Sequence, residues 1–122
     1  MRRFSEEEVA LFDEVSQQSV RRARIVYSRV MPPGAAGVTF GALIVIRRGI
    51  TPTERPDLYL HELIHVEQYH RLGAHRFLLR YLRDYVANLW DMRSHRTAYL
   101  AVPFEREARE RVNRWSKRRR AS

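Results

Sequence analysis

The sequence predicts a mostly helical α+β fold. Three observations point to it: long segments with apolar residues spaced three and four apart, one short β-branched run bounded by glycines, and proline–glycine punctuation that cuts the chain into a few elements. The 122 residues are enough for one domain and few for two. A hydrophobic content of 44% supports an ordinary packed core. The chain is expected to be a single domain over residues 1–122, with an N-terminal helix in 1–30, a core in 38–115 and a basic tail in 116–122.

The elements follow in order. Residues 5 to about 28 read as a first helix. Ser5 with Glu8 makes a capping-box pattern, and Val9, Phe12, Val15, Ser16, Ser19 and Val20 form an inward stripe. Met31 to Gly37 is a breaker-rich connection. Val38 to Arg48 is the strand candidate, as a single strand or a hairpin, being rich in β-branched residues between Gly37 and Gly49. Pro56 to His70 reads as a second helix, with proline at its start and Gly73 just past its end. Ala74 to about Asp91 is a third helix with a broad apolar face: Phe77, Leu78, Tyr81, Leu82, Tyr85, Val86, Leu89 and Trp90. Residues 92–102 are a connection, and Pro103 opens a last helix to about Arg118.

The composition excludes several functions. There is no cysteine, and so no disulfide framework, Cys-rich zinc finger or cysteine nucleophile. The net charge is +9, carried by 22 arginines and Lys117. Such a balance favours anionic partners, but the arginines are dispersed and no helix-turn-helix or RNA-binding signature appears. A nucleic-acid-binding module is therefore the alternative and not the favoured reading, and no residue is assigned to nucleic acid. The longest apolar run, Ala42 to Ile46, is far too short to cross a bilayer. With Glu6, Glu7 and Glu8 following Met1 closely and no apolar leader between, a cytoplasmic protein is expected.

The chemistry is concentrated in His61-Glu62-Leu63-Ile64-His65. Residues four apart lie on one helical face, so two imidazoles at this spacing reach one metal ion. The carboxylate beside the first histidine then reaches a metal-activated water and serves as general base, the H-E-x-x-H logic of zinc peptidases. Leu58, Leu60, Leu63, Ile64 and Val66 surround the pair, and a buried His-Glu-His group needs a partner. Gln68, three residues beyond His65, falls on the same face. A third ligand must come from elsewhere, with Glu105, Glu107, His95 and Asp91 as candidates. The inward stripe of the last helix is Phe104, Ala108, Val112 and Trp115. Glu105 borders it, whereas Glu107 falls on the polar side, where it is expected to pair with Arg111. Glu105 is the chosen ligand and Glu107 the alternative. Tyr99 and His95 are candidates for the cleft rim or for stabilising an oxyanion, and His70 and His75 are expected at the surface.

The pair His61-Glu62-x-x-His65 followed by Glu105-x-x-Ala108 resembles the gluzincin metallopeptidases. It is most similar to the CAAX-prenyl-protease branch, the small "minigluzincins" and a group of short uncharacterised bacterial zincin-like proteins. The resemblance covers residues 38 to about 115. It implies a zincin-like core, one zinc ion held by His61, His65 and Glu105, hydrolysis of a peptide or protein substrate with Glu62 as base, and a rim strand within Val38–Arg48 that pairs with an extended substrate. A zincin-like protein without peptidase activity is a further alternative, and a latent form would have the first helix over the cleft. The chain departs from that branch at Arg109, where the pattern often has an aspartate that orients a zinc-binding histidine. Asp84, Asp91 or a backbone carbonyl must take that role here. The third helix also pairs its apolar face with Arg76, Arg80 and Arg83. That face is expected to be core, with a lipid-lying helix as the other reading.

Overall fold

The structure, a computed structural model, describes residues 1–92 and 95–121, and among these all side chains except those of Met92, His95 and Thr97. It is mostly helical with one small sheet. The described elements run α1 (Glu6–Leu11), α2 (Gln17–Arg22), β1 (Arg24–Ser28), β2 (Gly37–Phe40), β3 (Leu43–Arg47), α3 (Pro56–Leu72), α4 (Ala74–Met92), α5 (His95–Leu100) and α6 (Pro103–Ala121).

The predicted first helix is in fact two short helices and a strand. The capping box at Ser5 and Glu8 starts α1 as expected, but α1 stops at Leu11. Ser16, read as part of an inward stripe, is instead the N-cap of α2, accepting from the Ser19 amide. Val9, Phe12, Val15, Ser19 and Val20 are nonetheless buried. The apolar spacing was a true signal of burial and a false signal of continuous helix. Serine offers the backbone a local acceptor that ends one helix and begins another. From Arg24 the chain turns extended, where Ile25 and Val26 suit a pleated surface.

The sheet has the order β1-β3-β2. Val38 to Arg48 resolves into the hairpin β2–β3, turning at Gly41 and Ala42, where Gly41 adopts φ 64°. β3 lies in the middle, parallel to β1 and antiparallel to β2, and Arg2 bridges to Ile25 on the far side of β1. β2 is therefore an edge strand. Arg47 donates to the Ala36 carbonyl across the hairpin. Period-two alternation then turns the peptide groups of Gly37 and Thr39 away from β3.

α3 begins at Pro56 and ends before Gly73, whose φ of 86° and bond to the Tyr69 carbonyl close the helix. It is buried nearly all round. Leu60, Leu63 and Ile64 join the main core with Phe12, Ile25, Ile44, Ile46, Ala108 and Trp115. Tyr69 joins a second cluster with Phe77, Val102 and Phe104. The α1–α2 junction is tied to α6 by charge. Arg111 pairs with Glu14 at 3.2 Å and Glu67 at 2.8 Å, while Arg114 and Arg118 also reach Glu14.

The third helix corrects an expectation. Its eight apolar residues span more arc than one neighbour can cover. Phe77 is buried and Tyr81 and Tyr85 are half-buried, but Leu82, Val86, Leu89 and Trp90 face outward with Leu79. The segment 92–102, read as a connection, contains the short helix α5.

Burial opposes the charge on Glu14, but hydrogen bonds and charge from Arg114 and Arg111 hold its carboxyl below the usual 4.5. A lowered carboxyl contributes stability above its unfolded value, and loses it as pH falls through the folded value. Glu14→Gln should therefore destabilise the protein by about 1–2 kcal/mol at pH 7. In urea unfolding, the gap from wild type should close as the pH drops below 4.5.

Candidate metal centre

The face of α3 that carries His61, His65 and Gln68 meets the first turn of α6, and the meeting point is polar. His61 is half-buried, while Glu62, His65, Gln68 and Glu105 are buried. Both imidazoles converge on one oxygen: His61 Nε2 lies 3.0 Å and His65 Nε2 2.7 Å from Glu105 Oε1. Glu105 reaches this spot because Ala108, one turn on, is small and fully buried, which lets α6 approach α3 closely.

These three residues fit a metal ion. Their donor atoms all lie within 4.8 Å of one another. A tetrahedral ion with bonds of about 2.0–2.1 Å sets its ligand atoms about 3.3 Å apart. The two histidine–carboxylate distances of 3.0 and 2.7 Å would need to open by about 0.3 and 0.6 Å. Two imidazole nitrogens and one carboxylate form a donor set suited to a borderline divalent ion, with positions left for other ligands. The electrostatics agree. Burial disfavours charge on both partners, yet His61 and His65 hold the Glu105 carboxyl far below its usual range. The Glu105 hydrogen bond and charge, then the Glu62 charge and Gln68, lift His65 to about 9. The pocket thus favours a cation beside Glu105, and a divalent ion would replace a proton there.

The supporting residues come from four elements. Gln68 Oε1 accepts from His65 Nδ1 at 2.7 Å, so Nε2 is the nitrogen presented to Glu105. The amide is itself oriented, since its Nε2 donates to the Phe104 carbonyl at 3.1 Å and to Glu107. Gln68 therefore holds His65 in the way expected of Asp84, Asp91 or a backbone carbonyl, Arg109 standing where the resembled pattern often has aspartate. Asp84 instead pairs with Arg83, and Asp91 is exposed on α4. From α4, the Tyr81 hydroxyl donates to Glu105 Oε2 at 3.0 Å. Tyr99 of α5 lies against the same carboxylate. Burial and that negative charge raise both phenols far above their usual values, which keeps them protonated donors.

Glu62 lies on a neighbouring face of α3, toward the edge strand. Thr39 Oγ1 donates to Glu62 Oε1 at 2.8 Å and also contacts the Glu62 carbonyl at 3.2 Å. Gly37 makes room for it. A Cβ at that position would stand 3.2 Å from Glu62 Cγ, 3.3 Å from its Oε2 and 3.1 Å from Ile46 Cδ1. His61, Glu62, Gly37, Tyr99 and Arg109 share the wall of an open cleft of 330 Å³, completed by Ala36, Arg55, Asp57, Leu58, Val112 and Asn113. No residue of the N-terminal helices lines it, contrary to the idea of a covering segment.

Most of the predicted site residues come together. Glu107 does not join the cluster and does not pair with Arg111. It receives Gln68 and, at 3.5 Å, Arg71, because Arg111 is engaged by Glu67 and Glu14. The side chain of His95 lies outside the described residues. His70 and His75 are exposed. Tyr81, Thr39 and Gly37 were missed as site residues. Tyr81 carries no mark that separates it from an ordinary aromatic of an apolar helix face, and Thr39 and Gly37 depend on which edge of the hairpin faces α3. No family of proteins, no curated protein and no solved structure matches this chain.

Gln68→Leu should preserve the helix but leave His65 without its orienting acceptor. Affinity for a divalent ion, followed with cobalt(II) by its visible absorption, should fall about 10–100-fold.

Proposed function

We propose that this chain is a zinc-dependent peptidase of the gluzincin type, acting on a peptide or protein substrate. The observation that carries the proposal is the convergence of His61, His65 and Glu105 on one point beside an open cleft, with the Glu62 carboxylate held in the same wall. Two histidines and a carboxylate suit zinc better than magnesium or calcium, which prefer all-oxygen sites. A cytoplasmic location belongs to the same proposal. Among the described residues no helix is long and apolar enough to cross a membrane.

A bound zinc ion supplies Lewis acidity and brings the pKa of water toward ~7. The protein supplies the rest. Glu62 accepts the proton of the attacking water and returns it to the departing amine, while Thr39 fixes the carboxylate's orientation. Tyr99, on the cleft wall, would donate to the oxygen of the tetrahedral carbon by turning its one hydroxyl proton away from Glu105. The outward peptide group of Gly37 and the Thr39 N–H offer an extended substrate a strand to pair with, which would lay its backbone along Glu62, while the Thr39 carbonyl accepts from the Tyr69 hydroxyl at 3.4 Å.

The competing reading, a basic module for nucleic acid, is weakened by how the arginines are used. In α6, Arg111, Arg114 and Arg118 pair with acidic residues, and Arg119 stacks on Trp115.

Purified protein should carry about one zinc by elemental analysis, as a single three-ligand site implies. His61→Ala and His65→Ala should abolish retention, and Glu105→Ala should reduce it far more than Glu107→Ala. Glu62→Gln should keep the metal while lowering peptide hydrolysis by about 10²–10⁴-fold. Full zinc retention by Glu105→Ala would refute the ligand set, and undiminished hydrolysis by Glu62→Gln would refute the base.

A further inference from the structure

α4 is the most amphipathic of the three long helices, yet it presents its apolar side to the outside. At 100° per residue, Leu79, Leu82, Val86, Leu89 and Trp90 fall within about 100° of arc. Their exposures are 70%, 55%, 60%, 36% and 83%. The opposite side does the packing: Phe77 is buried, Tyr81 donates to Glu105, and Asn88 donates to the Ala98 carbonyl. The helix thus has two working faces, and the outer one lacks a partner among the described residues. Isolated exposed apolar residues are ordinary, but a helix-long stripe marks an interaction surface.

The charge around the stripe points to its occupant. Arg83, Arg76 and Arg80 lie together along one border of the stripe, within about 40–100° of Leu79 on the helical wheel; Arg80 turns inward over the Phe104 ring, 5.6 Å from its centroid, which leaves Arg76 and Arg83 at the outer edge. The helix's two acids lie farther back: Asp84 pairs with Arg83, and Asp91 falls behind Arg80. Arginines beside a stripe of leucine, valine and tryptophan match a lipid surface with anionic headgroups. The apolar face enters the acyl boundary, the guanidiniums of Arg76 and Arg83 reach phosphates, and tryptophan suits the interface. The stripe lies along a single helix, and none of its residues lines the cleft beside the metal centre. A second copy of this chain fits less well, because each copy carries +9 and would bring its arginine border against another. The area is also small. With large side chains of about 150–250 Å² each, the exposed stripe amounts to roughly 600 Å², below the ~800 Å² that each partner buries in a stable protein interface.

We propose that the outer face of α4 docks this protein on the surface of an anionic membrane, lying along the bilayer with Leu79, Leu82, Val86, Leu89 and Trp90 inserted. Docking on this face leaves the inner face of α4 in place against Glu105, so the helix joins the membrane surface to the metal centre.

The test is sedimentation of the full chain with vesicles of phosphatidylcholine alone and of equal parts phosphatidylcholine and phosphatidylglycerol. The wild type should partition into the anionic vesicles roughly tenfold or more over the neutral ones. Its tryptophan emission should shift to the blue on binding, and this shift should vanish in Trp90→Phe, since Trp115 is already buried. The double variant Leu82→Glu, Val86→Glu should lose roughly tenfold or more of the partitioning. Its circular dichroism and cobalt(II) binding should be unchanged, because both positions are exposed. Three results would overturn the proposal: wild type left in the supernatant with anionic vesicles, undiminished partitioning of the double variant, or a dimer in light scattering that the double variant dissolves without any vesicle uptake by wild type.

Discussion

A carboxylate, Glu105, is buried where α3 and α6 come into contact, and much of the structure is arranged around it. Removing such a charge from water costs several kcal/mol unless opposing charge and hydrogen bonds surround it. Here two imidazoles share one oxygen and a phenol holds the other. The α3–α6 packing brings that compensation within reach, and Ala108 makes the close approach possible. The site is therefore a consequence of core packing as much as an addition to it. α3 passes from one hydrophobic cluster to the next, with its polar face held between them.

The second layer around the site is made of neutral hydrogen-bonding groups. Gln68 replaces the carboxylate that often orients a ligating histidine, and an amide suits this position. Its two N–H donors are consumed by the Phe104 carbonyl and Glu107, which aims its oxygen at His65 Nδ1. Thr39 does the corresponding work for Glu62 from the edge strand, while Gly37 leaves the space that a methyl group would crowd. The sheet is small, but its edge is positioned so that Gly37, Glu62 and His61 face one cleft.

α4 links this chemistry to the exterior. Its eight apolar positions looked like one face because a helical wheel records hydrophobicity without recording which side has a neighbour. The aromatic half, Phe77, Tyr81 and Tyr85, packs inward and delivers a hydroxyl to Glu105, while the aliphatic half with Trp90 faces outward. One element thereby contributes a hydroxyl to the candidate metal centre and an apolar stripe to the exterior.

Local signals in the chain carried much of this. The capping box at Ser5, the Pro56 and Gly73 boundaries of α3, the strand candidate between glycines, and the His61–His65 spacing depend on neighbours within one turn or one hairpin, so they were legible in the sequence. That Glu105 rather than Glu107 meets the two histidines was legible too, because a helical stripe assigns each residue an angle. What the chain left open depends on contacts between residues far apart in sequence. Ser16 starts a new helix rather than facing the core, Arg111 is drawn from Glu107 to Glu14 and Glu67, and Tyr81 becomes a donor to Glu105 only when α4 and α6 lie side by side. Spacing determined which groups could act together on one helix. Packing between helices decided which of them meet, since burial and pairing are properties of the assembled core.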